Sequence, residues 1–235
     1  MMQSTLIENY QMIHYDRLGY AGSSTHKTHI SIFEQANDCM KIMQYLGIDR
    51  GHIVGHSIGG IIALQLAINY HNSVHSLPLL EPALTGYSTQ GNNEVIQEFT
   101  PLLMYDKGNK SEVMDNLMKM SIGSDYRDLV NIRLPANGFD QVVIDAKKTY
   151  FYDEIPAMRS WTLKWEDMKN INQKPVLYVR GSDSGHMSVA RQELVLKILS
   201  HTKVLVVPKA KHMIQVMDPE DLAKGLANFF ANYPM

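Results

Sequence analysis

Between Gly51 and Ala67 a short uncharged β-type stretch, Gly51-His52-Ile53-Val54, runs through Gly55-His56-Ser57-Ile58-Gly59-Gly60 into the apolar run Ile61-Ile62-Ala63-Leu64-Gln65-Leu66-Ala67. A serine with glycines two residues away on each side marks a strand that turns into a helix abruptly. The serine there takes a strained backbone conformation, and neighbours without side chains let the two segments pass. G-x-S-x-G alone arises by chance in many loops, but here the flanking strand and buried helix that the turn requires are both present. The pattern confines the chain to folds that layer helices on a sheet, and it singles out Ser57 as a candidate nucleophile.

The rest of the chain alternates strands and helices at both ends, which predicts a mostly parallel sheet with helices on both faces. Tyr10 to Tyr15 reads as a short strand running into the loop Asp16-Arg17-Leu18-Gly19-Tyr20-Ala21-Gly22-Ser23. His29 to Leu46 reads as an amphipathic helix with Phe33, Ala36, Met40, Met43 and Leu46 on one face and Gly47 as its stop. Val74 to Leu80, Pro175 to Val179 and Lys203 to Val207 are further β-rich runs, with a helix around Ala190 to Leu199. Asp218-Pro219 starts a last helix that presents Leu222, Leu226 and Phe229 to the core. Between about 85 and 171 the texture changes to methionines, aromatics and polar residues at helical spacing, with breakers and no β-type run. The expected organisation is therefore a core of residues 1–84 and 172–235 with a helical cap or lid inserted over 85–171.

At 235 residues, 45% hydrophobic and 20% charged, the chain can bury one sizeable α/β core plus an insertion. A net charge of −2 without a clustered basic stripe leaves no electrostatic footprint for nucleic acid or an anionic membrane. The single cysteine, Cys39, rules out an internal disulfide and fits a reducing compartment. No run of about 18 apolar residues predicts a membrane span. The first residues lack the basic-then-apolar pattern of a signal peptide, so a cytoplasmic location is expected. Nothing in the sequence calls for a metal or an organic cofactor; His71 and His75 are four apart but lack the glutamate of the zinc-protease pattern.

With these motifs in order, the chain resembles the α/β-hydrolase superfamily over nearly all of its length, in the serine-hydrolase branch with a helical cap. Gly55-His56-Ser57-Ile58-Gly59-Gly60 matches the family's elbow, and residues 16–23 match its loop after the fourth strand, with Ala21 at a usual glycine. Lys211-His212 followed by Asp218-Pro219-Glu220 matches the segment after the last strand. The resemblance implies a Ser-His-acid triad at the carboxyl ends of the strands, under a cap inserted after the sixth strand.

Chemistry assigns the roles. Ser57 needs a base within hydrogen-bond reach, and the base must be held in one tautomer by an acid. His212 is the base candidate, since it follows the run 203–207 and comes after the serine in chain order. His56 reads as a packing residue of the elbow. Two carboxylates compete for the acid. The family's usual place after the seventh strand holds serine here, in Gly181-Ser182-Asp183-Ser184, with Asp183 one position early. Glu81, behind the apolar run Leu77-Pro78-Leu79-Leu80, occupies the alternative place after the sixth strand. Glu81 is taken as the acid, with Asp183 as the alternative.

The family's oxyanion hole uses the backbone N–H of the residue after the serine, here Ile58, and a second N–H from the loop after the third strand. Only residues 1–9 precede the first recognisable strand, which matches the family's fourth. The family's N-terminal strands and the second donor are therefore expected to be missing. The gap either brings the strands on its two sides together or leaves an edge for a partner chain to fill, and a homo-oligomer is expected on the second reading. Two classes of function follow. One is a serine hydrolase, a carboxylesterase acting on small or medium esters through an acyl-enzyme on Ser57, with lactonase and carbon-carbon hydrolase as related chemistries. The other is a weakly active or inactive hydrolase-like ligand-binding module. Trp161, Phe139, Phe151 and Met104 are candidate pocket-lining residues, with packing in the core as the alternative.

Overall fold

The computed structural model of the chain describes residues 4–25, 30–89, 92–95, 110–133 and 146–235. After a turn of helix α1 (Ser4–Ile7) comes α2 (Ile32–Tyr45), then the strand pieces β1 (Gly51–His52) and β2 (Gly55–His56), helix α3 (Ile58–Asn69) and strand β3 (Val74–Leu80). The inserted region contributes β4 (Gly86–Thr89), β5 (Asn92–Val95), helices α4 (Lys110–Ser121) and α5 (Tyr126–Arg133), π-helical turns over Ala146–Glu154, α6 (Ile155–Ser160), β6 (Leu163–Lys164) and α7 (Met168–Ile171). The chain then returns through β7 (Val176–Gly181), α8 (His186–Ile198), β8 (Lys203–Val207), α9 (Ile214–Met217) and α10 (Pro219–Asn232).

The main sheet is all parallel. β1 and β2 pair with one side of β3, β7 pairs with the other, and β8 follows β7. Parallel strands covered on both faces read as continuous apolar runs, which is why β3 and β7 carry so little polar alternation. Leu77, Leu79, Val176 and Tyr178 pack toward α2, α3 and the insertion, while Leu80, Leu177, Val179 and Val207 pack toward α10. Leu222, Leu226 and Phe229 of α10 are buried as the sequence predicts, and Asp218 caps that helix by accepting from the Asp221 N–H at 3.0 Å.

A proline inside a sheet strand costs a ladder bond, and its tolerance here has a local cause. Leu77 and Glu81 donate their N–H groups toward β7, whereas the carbonyls of Ser76 and Leu80 accept from Ile53 and Ser57 on the other side. Alternation therefore aims Pro78, which has no N–H, at Ile53 and Val54, where the ladder between β1 and β2 is interrupted.

Three expectations are corrected. Tyr10 to Tyr15 forms no ladder among the described strands: Tyr10 packs edge-on to His52 and Phe230 instead, and a cavity of about 390 Å³ lies between residues 10–15 and 51–54. Helix α2 starts at Ile32 behind a reciprocal Ser31–Glu34 capping box, and it buries Ile32, Gln35, Ala36, Met40 and Met43. Phe33, at 52% exposure, and Leu46, at 48%, lie off that stripe, because positions 32, 36, 40 and 43 are the ones that share a helical face. The insertion is also not purely helical: β4 and β5 form an antiparallel hairpin, and β4 pairs in parallel with β6. Its strands are mostly polar, with Tyr87 and Leu163 buried, so hydrophobic periodicity gives no signal for them.

The insertion shares the core rather than standing apart from it. Met114, Leu117, Ile155, Met158, Leu163 and Ile171 belong to the cluster that covers α3, and Trp161 donates its ring N–H to Gln65 Oε1 of α3 at 2.7 Å. Trp161 and Phe151 are thus core residues; Phe139 and Met104 lie outside the described residues. Among the described residues no helix is long and apolar enough to cross a membrane.

The three glycines of the elbow are not equivalent. A methyl on Gly55 would sit 2.3 Å from the Gly59 carbonyl oxygen, and one on Gly60 would sit 2.7 Å from Pro82, whereas one on Gly59 meets nothing within 4 Å. Gly55→Ala and Gly60→Ala are each expected to destabilise the chain by about 2 kcal/mol or more, since backbone must move to make room. Gly59→Ala is expected to hold or raise stability, because alanine is the better helix former. Urea unfolding midpoints of the three variants check the ranking.

Candidate active site

Ser57 stands between β2 and α3 with φ 52° and ψ −116°, a conformation non-glycine residues seldom take. The surrounding backbone holds it there. Its N–H donates to the Leu80 carbonyl at 2.9 Å, and its own carbonyl accepts from Gly60 and Ala83, each at 2.9 Å. The side chain makes no capping bond to α3, so the hydroxyl is not spent on its own helix. Ile58, the first residue of α3, lies beside it, and its amide is one of the helix-start N–H groups that no turn of helix satisfies.

The register of the sheet brings the acid candidate to the same level. His56 pairs with Leu80, so Ser57 and Glu81 each follow the last paired residue of adjacent strands. Glu81 also has a positive φ, 40°. Its side chain is buried, 2% exposed for the whole residue, and one carboxylate oxygen, Oε2, lies 2.8 Å from Nδ1 of His212. The other oxygen, Oε1, accepts from the Gly181 N–H at 3.0 Å and from the Ser184 hydroxyl. Burial pushes this carboxyl's pKa up, but the bonds from His212, Ser184 and Gly181 outweigh it and hold it down at about 2.

Asp183 lies elsewhere. Its carboxylate accepts from the Ser182 hydroxyl at 2.7 Å, in a loop whose backbone is tied to Val207 and Ala210. Of the two acid candidates, the structure brings Glu81 to His212.

His212 sits in the loop between β8 and α9. That loop is packed tightly: a methyl on Gly181 would come within 2.1 Å of the Ala210 carbonyl oxygen, and the Met213 N–H donates to the Ser121 carbonyl at the end of α4 at 3.1 Å. The elbow histidine holds the same loop. His56 Nε2 lies 2.9 Å from the His212 carbonyl and Nδ1 lies 3.3 Å from the Gln215 amide nitrogen, so the carbonyl needs a proton on Nε2 and the amide donor needs Nδ1 bare. Burial first, and then the neighbouring His212, lowers the pKa of His56 to about 3, consistent with this neutral tautomer. Sequence reading treats His56 as packing; its bond to residue 212, across 156 positions, has no local signature.

Ser57, Ile58 and His212 line one cavity of about 310 Å³. Met114, Leu117 and Met118 of α4 give it apolar lining, and Arg17, Tyr20, Tyr150 and Glu154 give it polar lining. The polar side is built from two segments, the loop 16–23 and the π-helical turns 146–154. Arg17 forms a salt bridge with the buried Glu154 and donates to Gln35 Oε1 at 2.6 Å, and the Thr149 hydroxyl donates to the Gly19 carbonyl at 3.0 Å. Burial and the Glu154 carboxylate raise the pKa values of both Tyr20 and Tyr150, so their hydroxyls stay protonated. Ala21, where glycine is usual in the loop, adopts φ 44° all the same.

A family model described as alpha/beta hydrolase fold matches residues 2–219. The chain is similar to a 2-(acetamidomethylene)succinate hydrolase from Mesorhizobium japonicum, 25% identical over 95% of this chain and 80% of that protein. It is also similar to a monoacylglycerol lipase from Bos taurus, 24% identical over 98% of this chain and 70% of the lipase. Among solved structures it shares the fold of an enol-lactonase from Burkholderia xenovorans, with a TM-score of 0.74 at 18% identity over 92% of this chain and 79% of that one.

Two half-buried histidines tie stability to pH. Burial, then His75 and Arg50, lowers the pKa of His52 to about 4, and that of His56 is about 3, while unfolded histidine titrates near 6.5. The unfolded chain therefore binds more protons on the acid side, and stability is expected to fall as pH drops from about 6.5 toward 4, with Glu81 adding to the loss below about 4.5. Melting temperature against pH checks this, and His52→Gln should flatten the slope.

Proposed function

The chain belongs to the alpha/beta hydrolase family, and from that premise we propose that it is a serine hydrolase, a carboxylesterase acting on small or medium carboxylic esters. The observation that carries the reading is the contact between His212 Nδ1 and the buried Glu81 carboxylate at 2.8 Å, on the cavity that Ser57 also lines. With Nδ1–H engaged by Glu81, Nε2 of His212 is the free base. It takes the proton of the Ser57 hydroxyl as the oxygen attacks the ester carbonyl, and returns it to the departing alkoxide. The resulting acyl-enzyme is released by water activated in the same way. Glu81 stays ionised throughout, orienting the ring and stabilising its charged form.

The Ile58 N–H at the start of α3 is the donor proposed for the oxyanion, where the helix end also favours negative charge. The methionine and leucine lining from α4 suits an acyl chain, since flexible thioethers adapt to more than one shape. The names of the similar proteins, a 2-(acetamidomethylene)succinate hydrolase and a monoacylglycerol lipase, support a hydrolytic reading.

Hydrolysis of p-nitrophenyl butyrate is expected to fall by at least about 10³-fold in Ser57→Ala. Equal slow rates in wild type and variant would sink the hydrolase reading in favour of a binding module. Glu81→Gln is expected to lower kcat by roughly 10³- to 10⁴-fold, as loss of the orienting acid does elsewhere. Asp183→Asn is expected to leave kcat at the wild-type level. The reverse ranking would make Asp183 the acid.

A further inference from the structure

We propose that Ser184 is a positioning residue for the acid of this site: its hydroxyl, together with the Gly181 N–H, grips one oxygen of Glu81 so that the other faces His212. The proposal rests on Glu81 being the acid. A glutamate reaching across from the end of β3 has more rotatable bonds than an aspartate, and its carboxylate can turn. Two donors on Oε1 remove that freedom: the Gly181 N–H at 3.0 Å and the Ser184 hydroxyl. Oε2 is then left to His212 Nδ1 at 2.8 Å.

The Ser184 hydroxyl is not explained by local structure. A serine at the start of a helix ordinarily caps it, yet α8 is preceded by Gly185 without a side-chain cap, and the Ser184 hydroxyl is directed across to a residue 103 positions away. The loop that carries Ser184 is itself pinned. Ser182 and Asp183 donate their N–H groups to the Val207 and Ala210 carbonyls, each at 2.9 Å, and the Ser182 hydroxyl accepts from the Lys209 N–H at 2.8 Å. So the donor is held on a braced turn, between the two strands whose ends deliver the acid and the base.

The hydroxyl has a single proton to give, and it is directed to Oε1 of Glu81, where an ionised carboxylate makes the stronger acceptor. The depressed pKa of Glu81 agrees, with Ser184 among the groups that lower it. The Ser184 hydroxyl bonds to the carboxylate and acts through it.

The test is a cycle with Glu81→Gln, read by p-nitrophenyl butyrate kinetics. Ser184→Ala is expected to lower kcat by about tenfold with KM unchanged, the loss of one hydrogen bond to a charged group. Ser184→Thr, which keeps the hydroxyl, should retain most of kcat. In the Glu81→Gln background, adding Ser184→Ala should cost nothing further. Wild-type kcat in Ser184→Ala, or the same tenfold loss in both backgrounds, would overturn the proposal. Should Ser184→Ala fold poorly, Ser184→Cys supplies an isosteric weak donor and an intermediate kcat is expected; full wild-type kcat there counts against the role.

A second readout needs no turnover. The low-field proton resonance of His212 Nδ1–H should shift and broaden in Ser184→Ala and stay in place in Ser184→Thr, and an unchanged signal in Ser184→Ala would contradict the role. If wild type shows no Ser57-dependent hydrolysis, the esterase reading fails and this resonance still decides on Ser184.

Discussion

A carboxylate can stay charged inside an apolar sheet end only if its oxygens are answered by donors, and the arrangement around Glu81 is organised by that requirement. Its two oxygens draw together the end of β3, the start of the loop after β7 and the loop after β8. Leaving a donor out would return part of the cost of the charge's lost hydration. The same condition explains why three loops far apart in the chain are held to one geometry.

The cost of this arrangement is visible in the backbone. Ser57 and Glu81, side by side at the ends of β2 and β3, both have positive φ, and each such residue is strained by on the order of 1–3 kcal/mol. Strain of that size persists only where the surroundings overdetermine it. Here they do: the Ser57 carbonyl accepts two N–H groups, one from its own helix and one from Ala83 just beyond Glu81, so each turn helps to hold the other.

How much of this could be read from the residues depended on the range of the interaction. The elbow, the parallel strands, the last helix and the order of Ser57 and His212 were legible because each is written in a local pattern: glycines beside a serine, an apolar run, a capped proline start. The two acid candidates were legible too. Sequence reading ranks Glu81 ahead of Asp183, but its contact with His212 was not legible, because it depends on the pairing of His56 with Leu80 and on which loop faces His212. Ser184 and His56 escaped for the same reason, since their partners lie 103 and 156 positions away. The antiparallel pair 86–89 and 92–95 was missed on different grounds: most of its residues are polar, so it has no hydrophobic alternation to detect. Phe33 misled the reading of α2 because hydrophobicity was taken for burial, while its position on the helix turns it to solvent.

The bond from the Met213 N–H to the Ser121 carbonyl joins two parts of the molecule with separate tasks. Helix α4, which ends at Ser121, supplies Met114, Leu117 and Met118 to the cavity, and residue 213 adjoins His212, the candidate base. The helix that lines the cavity and the loop that carries the candidate base are therefore joined by a backbone bond. A ligand that displaces the helix must either drag the histidine with it or break that bond.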